Sequence, residues 1–344
     1  MRNNGCSSRN FDEAATIHND ANLLVIRNEV EESLIKMTRR EVAKLIGGTT
    51  AGLLLPVRAS CAQAKSESST MLMRPIPSSG ENLPVIGLGT WQKFDVHLTP
   101  AMRKPLEEVL SVFVKLGGRL IDSSPMYGRA EEVIGELTSA LGIRDKLFLA
   151  TKVWTRGKES GIKSIERSMA LLRTKRIDLM QVHNLLDVQT HLATLRQWKE
   201  QSRIRYLGVT HYNSGAFPEI EKVLKSEKLD FLQINYSLME RQAEQRVLPL
   251  AQERGVAVIV NRPFGAGDLF DKVRSKPLPD WAAGFDCTSW AQFFLKWIIA
   301  NQAVICVIPA TGNPQHLDEN MQAGFGRLPD VNTRRRMVDL VSSL

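Results

Sequence analysis

Four side chains suited to proton transfer occur at or just beyond the ends of successive predicted strands. Asp122 lies in the second of these strands, and Tyr127 follows in the loop after it. Lys152 lies in the third strand and His183 in the fourth. A buried lysine needs an anionic partner, which Asp122 can supply, and a neighbouring cation lowers the pKa of a phenol. We therefore expect a site in which Tyr127, tuned by Lys152, donates a proton near neutral pH.

Each of these residues also has an ordinary structural explanation. Asp122 could cap a turn, and Lys152 could be a surface lysine. Tyr127 and His183 could simply pack in the core. However, consecutive strands are neighbours in an α/β barrel, whose chemistry lies on the loops at the carboxyl ends of its strands. The occurrence of all four in successive units therefore favours one shared site.

The elements that must position these residues alternate between strand and helix from about residue 71 onward. Short apolar runs are separated by amphipathic segments of helical period, several of which end at a glycine (Gly117, Gly142, Gly255). Eight such runs predict an α/β fold, a (β/α)8 TIM barrel with a short N-terminal hairpin within 71–86 and C-terminal helices. The predicted strands are 83–91, 120–124, 147–153, 178–184, 206–212, 231–237, 257–263 and 306–311.

An open, doubly wound sheet is the alternative fold. It requires a GxGxxG turn that follows the first strand and opens a helix. Here the first strand ends Gly87-Leu88-Gly89-Thr90-Trp91, with no third glycine and no helix start in register. The barrel is therefore favoured.

Charge and cysteine content argue against two other classes of protein. The 344 residues carry a net charge of +8 without a dense basic run interleaved with aromatics, so nucleic-acid binding is not expected. The four cysteines form no CxxC pair and no His/Cys ligand spacing, so we expect no metal site. A disulfide between Cys287 and Cys306 is left open by their spacing.

Residues 1–64 are predicted to be a leader that precedes a single barrel domain, 65–344. Residues 37–64 combine a charged start (Arg39, Arg40), a weakly apolar middle and the ending Ala62-Gln63-Ala64, which are the three parts of a secretory signal. This segment resembles a twin-arginine signal, so the expected partner is the Tat export machinery and the expected location is periplasmic or exported. The apolar middle is too short and too polar to span a bilayer stably.

Two alternatives stand beside this interpretation of the leader. The paired arginines could occur by chance in an N-terminal extension of a cytoplasmic protein. Residues 1–36 lack any signal-like pattern, so Met37 is a second candidate for the start and 1–36 would then not be translated.

Five segments resemble the aldo-keto reductase superfamily, and they occur in the order found in that family. The resemblance implies an eight-stranded α/β barrel, a bound NADPH, with NADH possible, and reduction of small aldehydes or ketones to alcohols. The five segments are LIDSSPMYGRAEEVIGE (120–136), FLATKVW (148–154), DLMQVHN (178–184), YLGVTHYN (206–213) and VIPATGNPQHLDEN (307–320).

The same resemblance implies roles for the four residues considered first. Tyr127 matches the general acid that protonates the carbonyl oxygen as hydride reaches the carbon. Lys152, held by Asp122, matches the residue that eases this proton transfer. His183 matches the residue that orients the substrate oxygen.

Further positions match the family's cofactor and substrate contacts. Thr210 and His211 match positions that hold the nicotinamide carboxamide, with Gln233 beside them. Trp91 matches an aromatic wall of the substrate pocket, although a packed core tryptophan is an equally good interpretation. Glu319 and Asn320 match positions on the adenine side, where finishing a helical turn is the alternative role.

The sequence departs from the family pattern at two places. Asn261 occupies the position where many members stack a tyrosine or tryptophan on the nicotinamide, and Arg262 follows it, with a guanidinium suited to a phosphate or carboxylate. After the eighth strand, Thr311 and Asn313 offer neutral donors where NADPH-selective members offer a cation to the 2′-phosphate. NADPH remains the expected cofactor, with NADH as the alternative.

Two functions follow from these observations. The first is NAD(P)H-dependent reduction of aldehydes or ketones. The second is a barrel that binds the cofactor tightly and acts in redox sensing or partner binding with little turnover. The presence of Asp122, Tyr127, Lys152 and His183 together favours the enzyme.

Overall fold

The structure, a computed structural model, describes residues 70–344. The predicted leader at 1–64, with its twin-arginine-like segment at 37–64, lies outside the described residues. The division of the chain at residue 64 and the export signal therefore stay predictions.

Eight parallel strands form the barrel, and each is hydrogen-bonded to the next strand along the chain. Parallel bridges join Ile86 to Val307 and Gly89 to Ala310, which brings the last strand back to the first. This arrangement confirms the (β/α)8 barrel and excludes the doubly wound sheet. The strands are β3 (Leu88–Gly89), β4 (Leu120–Asp122), β5 (Phe148–Val153), β6 (Ile177–His183), β7 (Ile204–Thr210), β8 (Phe231–Asn235), β9 (Ala257–Asn261) and β10 (Val304–Val307).

The predicted hairpin is present as two short antiparallel strands, β1 (Met73–Pro75) and β2 (Asn82–Pro84). The first predicted strand, 83–91, is wrong in extent, because Leu83 belongs to this hairpin and the barrel strand is Leu88–Gly89. Pro84 has no N–H to donate to a neighbouring strand, so the hairpin strand β2 ends there and is separate from the barrel strand β3. Leu83 is fully buried among residues at the starts of the barrel strands, so the hairpin covers the amino-terminal end of the barrel.

Glycine is required where β3 joins the barrel. A Cβ atom on Gly87 would lie 2.8 Å from the Leu120 carbonyl oxygen, and one on Gly89 would lie 2.8 Å from the carbonyl oxygen of Ile308. Larger residues would therefore push the strands on either side of β3 apart. This close approach is the physical reason for the Gly87-Leu88-Gly89 pattern.

Helices connect the strands and begin and end where local chemistry predicts. The Thr99 side chain accepts a hydrogen bond from the Met102 N–H at the start of the first helix, and Pro100 occupies its first position. The three glycines predicted to end helices have left-handed φ values of 86° (Gly117), 63° (Gly142) and 64° (Gly255). The helices are α1 (Pro100–Lys115), α2 (Ala130–Ala140), α3 (Lys158–Leu171), α4 (Val188–Glu200), α5 (Phe217–Ser226), α6 (Val247–Glu253), α7 (Asp268–Val273), α8 (Trp290–Ile299), α9 (Pro314–Gln322) and α10 (Val331–Ser342).

Two apolar clusters hold these layers together. The larger one lies between the strands and the surrounding helices. The smaller one includes Leu120, Phe148, Tyr206 and Phe231, which come from the first halves of their strands. The interior of the barrel is thus filled with apolar side chains near its amino-terminal end, which leaves polar side chains to occupy the opposite end.

Among residues 70–344, no helix is long and apolar enough to cross a membrane. Cys287 and Cys306 are both buried and free, so no disulfide joins them.

Candidate active site

The carboxyl ends of the barrel strands surround a cavity of about 1020 Å³. Its wall comes from the ends of β3, β4 and β6 to β9, from the loops after these strands and after β10, and from residues of α7, α8 and α9. A dinucleotide and a small substrate need a large cavity of this kind, since most drug-sized ligands occupy about 300–1000 Å³. The predicted site residues that line it are Trp91, Asp122, Tyr127, His183, Thr210, Gln233, Asn261, Arg262, Thr311, Asn313, Glu319 and Asn320.

At the floor of the cavity, Lys152 and Asp122 form a buried ion pair. The Lys152 Nζ donates to Asp122 Oδ2 at 2.6 Å and to the Ser123 carbonyl oxygen at 2.7 Å. Their side chains are 0% and 3% exposed, respectively. Asp122 is the last residue of β4 and pairs with Ala150 of the adjacent strand β5, two residues before Lys152, so the barrel register brings them together. The pairing predicted from sequence is therefore present.

The second carboxylate oxygen of Asp122 accepts hydrogen bonds from two amides. Gln233 Nε2 donates to Asp122 Oδ1 at 2.8 Å, and Gln181 Nε2 donates to the same atom at 3.3 Å. Gln181 was not predicted. Its sequence signal was its position two residues before His183 on one strand, because alternate residues of a strand share a face. Two neutral donors and one cation thus satisfy this buried carboxylate.

The Tyr127 ring lies between this ion pair and His183. Lys152 Nζ is 4.9 Å from the centroid of the Tyr127 ring, and the Tyr127 and His183 rings meet edge to face with centroids 6.3 Å apart. Asp122, Tyr127, Lys152 and His183 are thus brought to one place by three neighbouring strands and one loop, as the sequence predicted.

The expected pKa of Tyr127 is wrong in direction. Burial raises the pKa of the phenol, and the positive charge of Lys152 lowers it by less, so the net shift is upward. The sequence argument considered the cation and not the desolvation, which only the folded structure reveals. Tyr127 therefore carries its proton at neutral pH and is a hydrogen-bond donor there.

The two basic residues beside Tyr127 shift in opposite directions. Burial alone would lower the pKa of Lys152, but the carboxylate of Asp122 raises it above its ordinary value, so the ammonium stays charged. Burial, with the nearby charges of Lys152 and His211, lowers the pKa of His183 to about 3. His183 is therefore a neutral imidazole at neutral pH, with its Nδ1 3.3 Å from Ser124 Oγ.

The residues matched to the nicotinamide form a connected polar group next to Asp122. Thr210 Oγ1 donates to Gln233 Oε1 at 2.9 Å. Asn261 Nδ2 lies 3.5 Å from the same oxygen and donates to the His211 carbonyl at 3.2 Å. The Asn261 Oδ1 is buried without a hydrogen-bond partner among the described residues. Because Asn261 lines the cavity, an acceptor left without a partner there suits the amide group of a nicotinamide.

His211 contributes differently from its neighbours. Its ring stacks on Tyr212 with centroids 5.5 Å apart, and its Nδ1 accepts a hydrogen bond from the Asn213 N–H. The carbonyl oxygen of His211 holds Asn261. These contacts support a positioning role, and direct contact of the His211 side chain with a cofactor stays a prediction.

The residues after β10 surround the far end of the cavity. The Asn313 side chain accepts hydrogen bonds from the Gln315 and His316 N–H groups and so caps α9, and the Asn313 N–H bonds to Thr311 Oγ1 at 3.1 Å. Glu319 is exposed, whereas Asn320 is buried. The Asn313 side chain thus already has hydrogen-bond partners in α9. The cofactor roles of these residues stay predictions.

Several residues of the cavity wall were not singled out from the sequence, among them Asn184, Lys93 and Met126. Asn184 follows His183, and its Oδ1 is buried without a partner in residues 70–344. Lys93 and Met126 also line the cavity. The only sequence signal for these residues was their position in loops that follow strand ends. Loop residues show no periodic pattern, so a role in the cavity wall could not be predicted for them.

Aromatic residues of the long segment between β9 and α8 pack against α8. Trp281 lies 5.6 Å from Phe293 and Phe285 lies 6.1 Å from the same ring, measured between centroids. Phe264 does line the cavity, and it also packs against Phe270 with centroids 4.8 Å apart. Phe264 and Phe270 therefore border the site.

Comparison with known proteins agrees with this geometry. The sequence profile of the Aldo/keto reductase family matches residues 85–335. The chain belongs to the aldo/keto reductase family. The predicted export segment lies outside the matched residues.

Individual aldo/keto reductases are similar over most of their length. Methylglyoxal reductase YeaE of Escherichia coli (strain K12) is 30% identical over 258 residues, which are 73% of this chain and 89% of that protein. Methylglyoxal reductase DkgA of Yersinia pestis is 26% identical over 73% of this chain and 88% of that protein. An aldo/keto reductase from Klebsiella pneumoniae, solved with NADP and acetate, is 25% identical with a TM-score of 0.63, over 76% of this chain and 93% of that one.

Proposed function

We propose that this NAD(P)H-dependent oxidoreductase reduces small aldehydes or ketones to alcohols with NADPH, and that Tyr127 donates the proton. The observation that carries the proposal is the buried Lys152–Asp122 pair beside a protonated Tyr127 at the floor of the cavity. Two relatives named methylglyoxal reductase support a small carbonyl compound as the substrate. The similar Klebsiella pneumoniae reductase was solved with NADP, which supports NADPH as the cofactor.

The donors and acceptors of the cavity fit a nicotinamide dinucleotide. Asn261 Oδ1 and Asn184 Oδ1 are buried acceptors without partners in the described part of the chain, and Arg262 Nε is a buried donor without one. Thr210 donates to Gln233 Oε1, and the same oxygen lies 3.5 Å from Asn261 Nδ2. A bound nicotinamide supplies the hydride. These side chains would hold its carboxamide and phosphates, with Thr311, Glu319 and Asn320 at the adenosine end.

Tyr127 suits the role of general acid because it keeps its proton until the substrate oxygen becomes basic during reduction. Burial raises the pKa of its phenol, so the hydroxyl donates a hydrogen bond to a carbonyl oxygen instead of ionising in the free enzyme. The cation of Lys152 stabilises the phenolate that remains after the proton has moved to the product. Asp122 keeps Lys152 charged, which sustains this stabilisation throughout the cycle.

His183 is suited to orienting the substrate oxygen as a neutral donor. Because its pKa is lowered to about 3, it adds no second positive charge beside Lys152. A neutral imidazole presents one N–H and one acceptor nitrogen. The edge contact between the His183 and Tyr127 rings places both side chains where they can contact the same substrate oxygen.

The Tyr127→Phe variant tests this proposal. It keeps the ring that packs beside Lys152 and removes only the hydroxyl, so reduction of methylglyoxal should fall by ~10²–10⁴-fold. NADPH binding, followed by quenching of protein fluorescence, should stay within about two-fold of the parent, a change of less than ~0.5 kcal/mol. If the variant reduces carbonyl compounds as fast as the parent, the role of Tyr127 is wrong.

The alternative of a cofactor-binding barrel with little turnover makes a different prediction. In that case the purified chain would contain stoichiometric nicotinamide cofactor and would oxidise none of it with any member of a broad aldehyde panel. Steady oxidation of NADPH at many turnovers per protein would exclude the alternative.

We also propose that residues 37–64 direct export of the barrel by the twin-arginine route. Arg39, Arg40 and the Ala62-Gln63-Ala64 ending support this proposal, and the cytoplasm is the alternative location. A reporter fused to 37–64 should be exported, and Arg39→Lys with Arg40→Lys should abolish its export. Export that is unaffected by the lysine pair would argue against the route.

A further inference from the structure

A buried glutamine of β6, Gln181, lies next to the candidate active site without opening into it. It is fully buried and is not one of the residues that line the cavity. Its Cα pairs with that of Lys152 on the adjacent strand. Because alternate residues of a strand share a face, it also lies on the same side of β6 as His183. Gln181 is therefore one layer below the mouth of the barrel, beside the buried ion pair.

Half of the Gln181 amide has a hydrogen-bond partner and the other half has none. The Nε2 donates to Asp122 Oδ1 at 3.3 Å, whereas the Oε1 is buried without a partner in residues 70–344. A carbonyl oxygen that has lost its water and gained no donor destabilises the folded chain. An apolar side chain of the same length would avoid that penalty. Stability alone therefore does not explain a glutamine at this position.

The other amide that donates to Asp122 has further contacts. Gln233 Nε2 donates to Asp122 Oδ1 at 2.8 Å, and Gln233 Oε1 accepts from Thr210 Oγ1 at 2.9 Å. Gln233 also lines the cavity, so it belongs to the residues proposed to hold the nicotinamide. Gln181 has neither property. Its hydrogen bond to Asp122 is therefore the contact through which it can affect the reaction.

Two amides on one oxygen fix the plane of the Asp122 carboxylate. With Oδ1 held by these amides, Oδ2 faces Lys152 Nζ at 2.6 Å. A second Lys152 N–H donates to the Ser123 carbonyl oxygen at 2.7 Å. An ammonium has three N–H groups, so the third remains for the Tyr127 hydroxyl, with which Lys152 interacts. Rotation of the carboxylate would shift Nζ and turn this third donor away from the phenol.

We infer that Gln181 is a positioning residue: it fixes the Asp122 carboxylate and thereby holds the Lys152 ammonium in place for proton transfer. This inference rests on the proposed function, because it assigns Gln181 to the proton-transfer step of that reaction. The unpaired Oε1 is then a loss of stability accepted for activity, as groups that break local rules often are at functional sites. Because Gln181 lies outside the cavity wall, its replacement should slow turnover and leave cofactor and substrate binding unchanged.

The Gln181→Met variant of the full chain tests the inference, because methionine has nearly the length of glutamine without its hydrogen-bonding groups. The kcat for methylglyoxal reduction should fall by ~10-fold, the lower end expected for a hydrogen bond to a charged group. KM and the dissociation constant of NADPH, measured by quenching of protein fluorescence, should stay within about two-fold of the parent. The urea midpoint should equal or exceed that of the parent, since an unpaired buried acceptor is removed.

A buried glutamine away from the site provides the matched control. Gln292 of α8 is 5% exposed, and its Oε1 accepts hydrogen bonds from the Thr288 N–H at 2.9 Å and the Thr288 hydroxyl at 3.1 Å. Gln292→Met leaves these donors without their acceptor, so it should lower the urea midpoint by roughly 0.3–1 M with kcat unchanged. Gln181→Met should show the opposite pattern, with kcat lowered and the midpoint retained.

The Lys152→Met background gives a second measurement, which does not depend on turnover. In that background the Asp122 carboxylate keeps the two amides as donors and has lost its cation. Adding Gln181→Met should therefore lower the urea midpoint by ~0.5 M or more, although the same change does not lower it in the parent. Adding Gln292→Met should have equal effects in both backgrounds, because distant sites are additive. A Gln181→Met/Lys152→Met chain that is unfolded where Gln292→Met/Lys152→Met is folded gives the same answer.

The outcomes separate this inference from the proposed function. If folded Gln181→Met keeps the parental kcat, or loses stability and activity together as a packing residue would, the inference is overturned while the proposed function stands. If NADPH affinity falls as much as kcat, Gln181 acts on cofactor binding, which also overturns the inference. If the parent reduces no carbonyl compound, the proposed function is overturned. In that case equal effects of Gln181→Met on the urea midpoint in both backgrounds would show that it does not hold Asp122 either.

Discussion

Replacement of Lys152 by methionine should separate the stability of this barrel from its activity. Methionine has nearly the same length and is apolar, so the packing around β5 is preserved. What is lost is the cation that Asp122 contacts at 2.6 Å, in a place where the two side chains are 0% and 3% exposed. Breaking a buried pair by removing one partner leaves an uncompensated charge and costs about 3–5 kcal/mol of unfolding free energy.

The structure indicates the lower end of that range for Lys152→Met. The amides of Gln233 and Gln181 continue to donate to Asp122 at 2.8 Å and 3.3 Å, so the carboxylate keeps part of its solvation. For a urea dependence of roughly 1–3 kcal/mol per molar, a loss of about 3 kcal/mol moves the denaturation midpoint down by roughly 1–3 M. Carbonyl reduction should fall in parallel by ~10²-fold or more, because the phenolate of Tyr127 loses its stabilising cation.

The double variant Asp122→Asn/Lys152→Met is the decisive comparison. It leaves no unpaired charge, and replacing a buried pair by neutral groups is often close to neutral for stability. Its urea midpoint should therefore return most of the way to that of the parent, with a coupling energy of about 2–3 kcal/mol between the two changes. Its activity should remain lost, because the cation is still absent.

An exposed ion pair provides the control. Lys222 and Glu219 are 2.7 Å apart, but their side chains are 71% and 62% exposed. Lys222→Met should therefore change the unfolding free energy by only ~0–1 kcal/mol. If Lys152→Met is as stable as Lys222→Met, or if the double variant loses the sum of both single changes, the buried-pair argument is refuted.

The remaining predictions concern pH. Burial and the charges of Lys152 and His211 lower the pKa of His183 to about 3. The pH profile of kcat/KM for reduction should therefore show no inflection from His183 between about pH 5 and 8. An inflection near pH 6.5 that disappears in His183→Gln would contradict this prediction. Burial raises the pKa of Tyr127, and the phenol keeps its proton below that pKa and loses it above. The phenolate absorbance of Tyr127, identified as the part that Tyr127→Phe removes, should therefore appear only above about pH 10. Its appearance at pH 8 would show that Lys152 outweighs burial.

Much of the fold follows from patterns that are local in the chain. The alternation of apolar strands with amphipathic helices predicts the barrel, because each unit must bury one face against its neighbours. Gly117, Gly142 and Gly255 end their helices as predicted, since a left-handed residue at that point favours glycine wherever the helix lies. The exception is the extent of the first barrel strand, where Pro84 and the contacts of Gly87 and Gly89 with other strands decide the outcome.

The sequence by itself also determined which residues meet at the mouth of the barrel. Parallel strands in chain order place their carboxyl ends side by side, so Asp122, Lys152 and His183 converge once the fold is known. Tyr127 joins them because its loop is only a few residues long. The chemistry of a cation beside an acid and a phenol could therefore be predicted from residue types and spacing.

Only the tertiary structure decided how these groups are tuned and which neighbours complete them. Desolvation depends on everything that packs around a side chain, and it reverses the expected direction of the pKa shift of Tyr127. Gln181 and Gln233 reach Asp122 from two other strands. Burial and register are properties of the folded chain, because they depend on contacts between residues far apart in sequence.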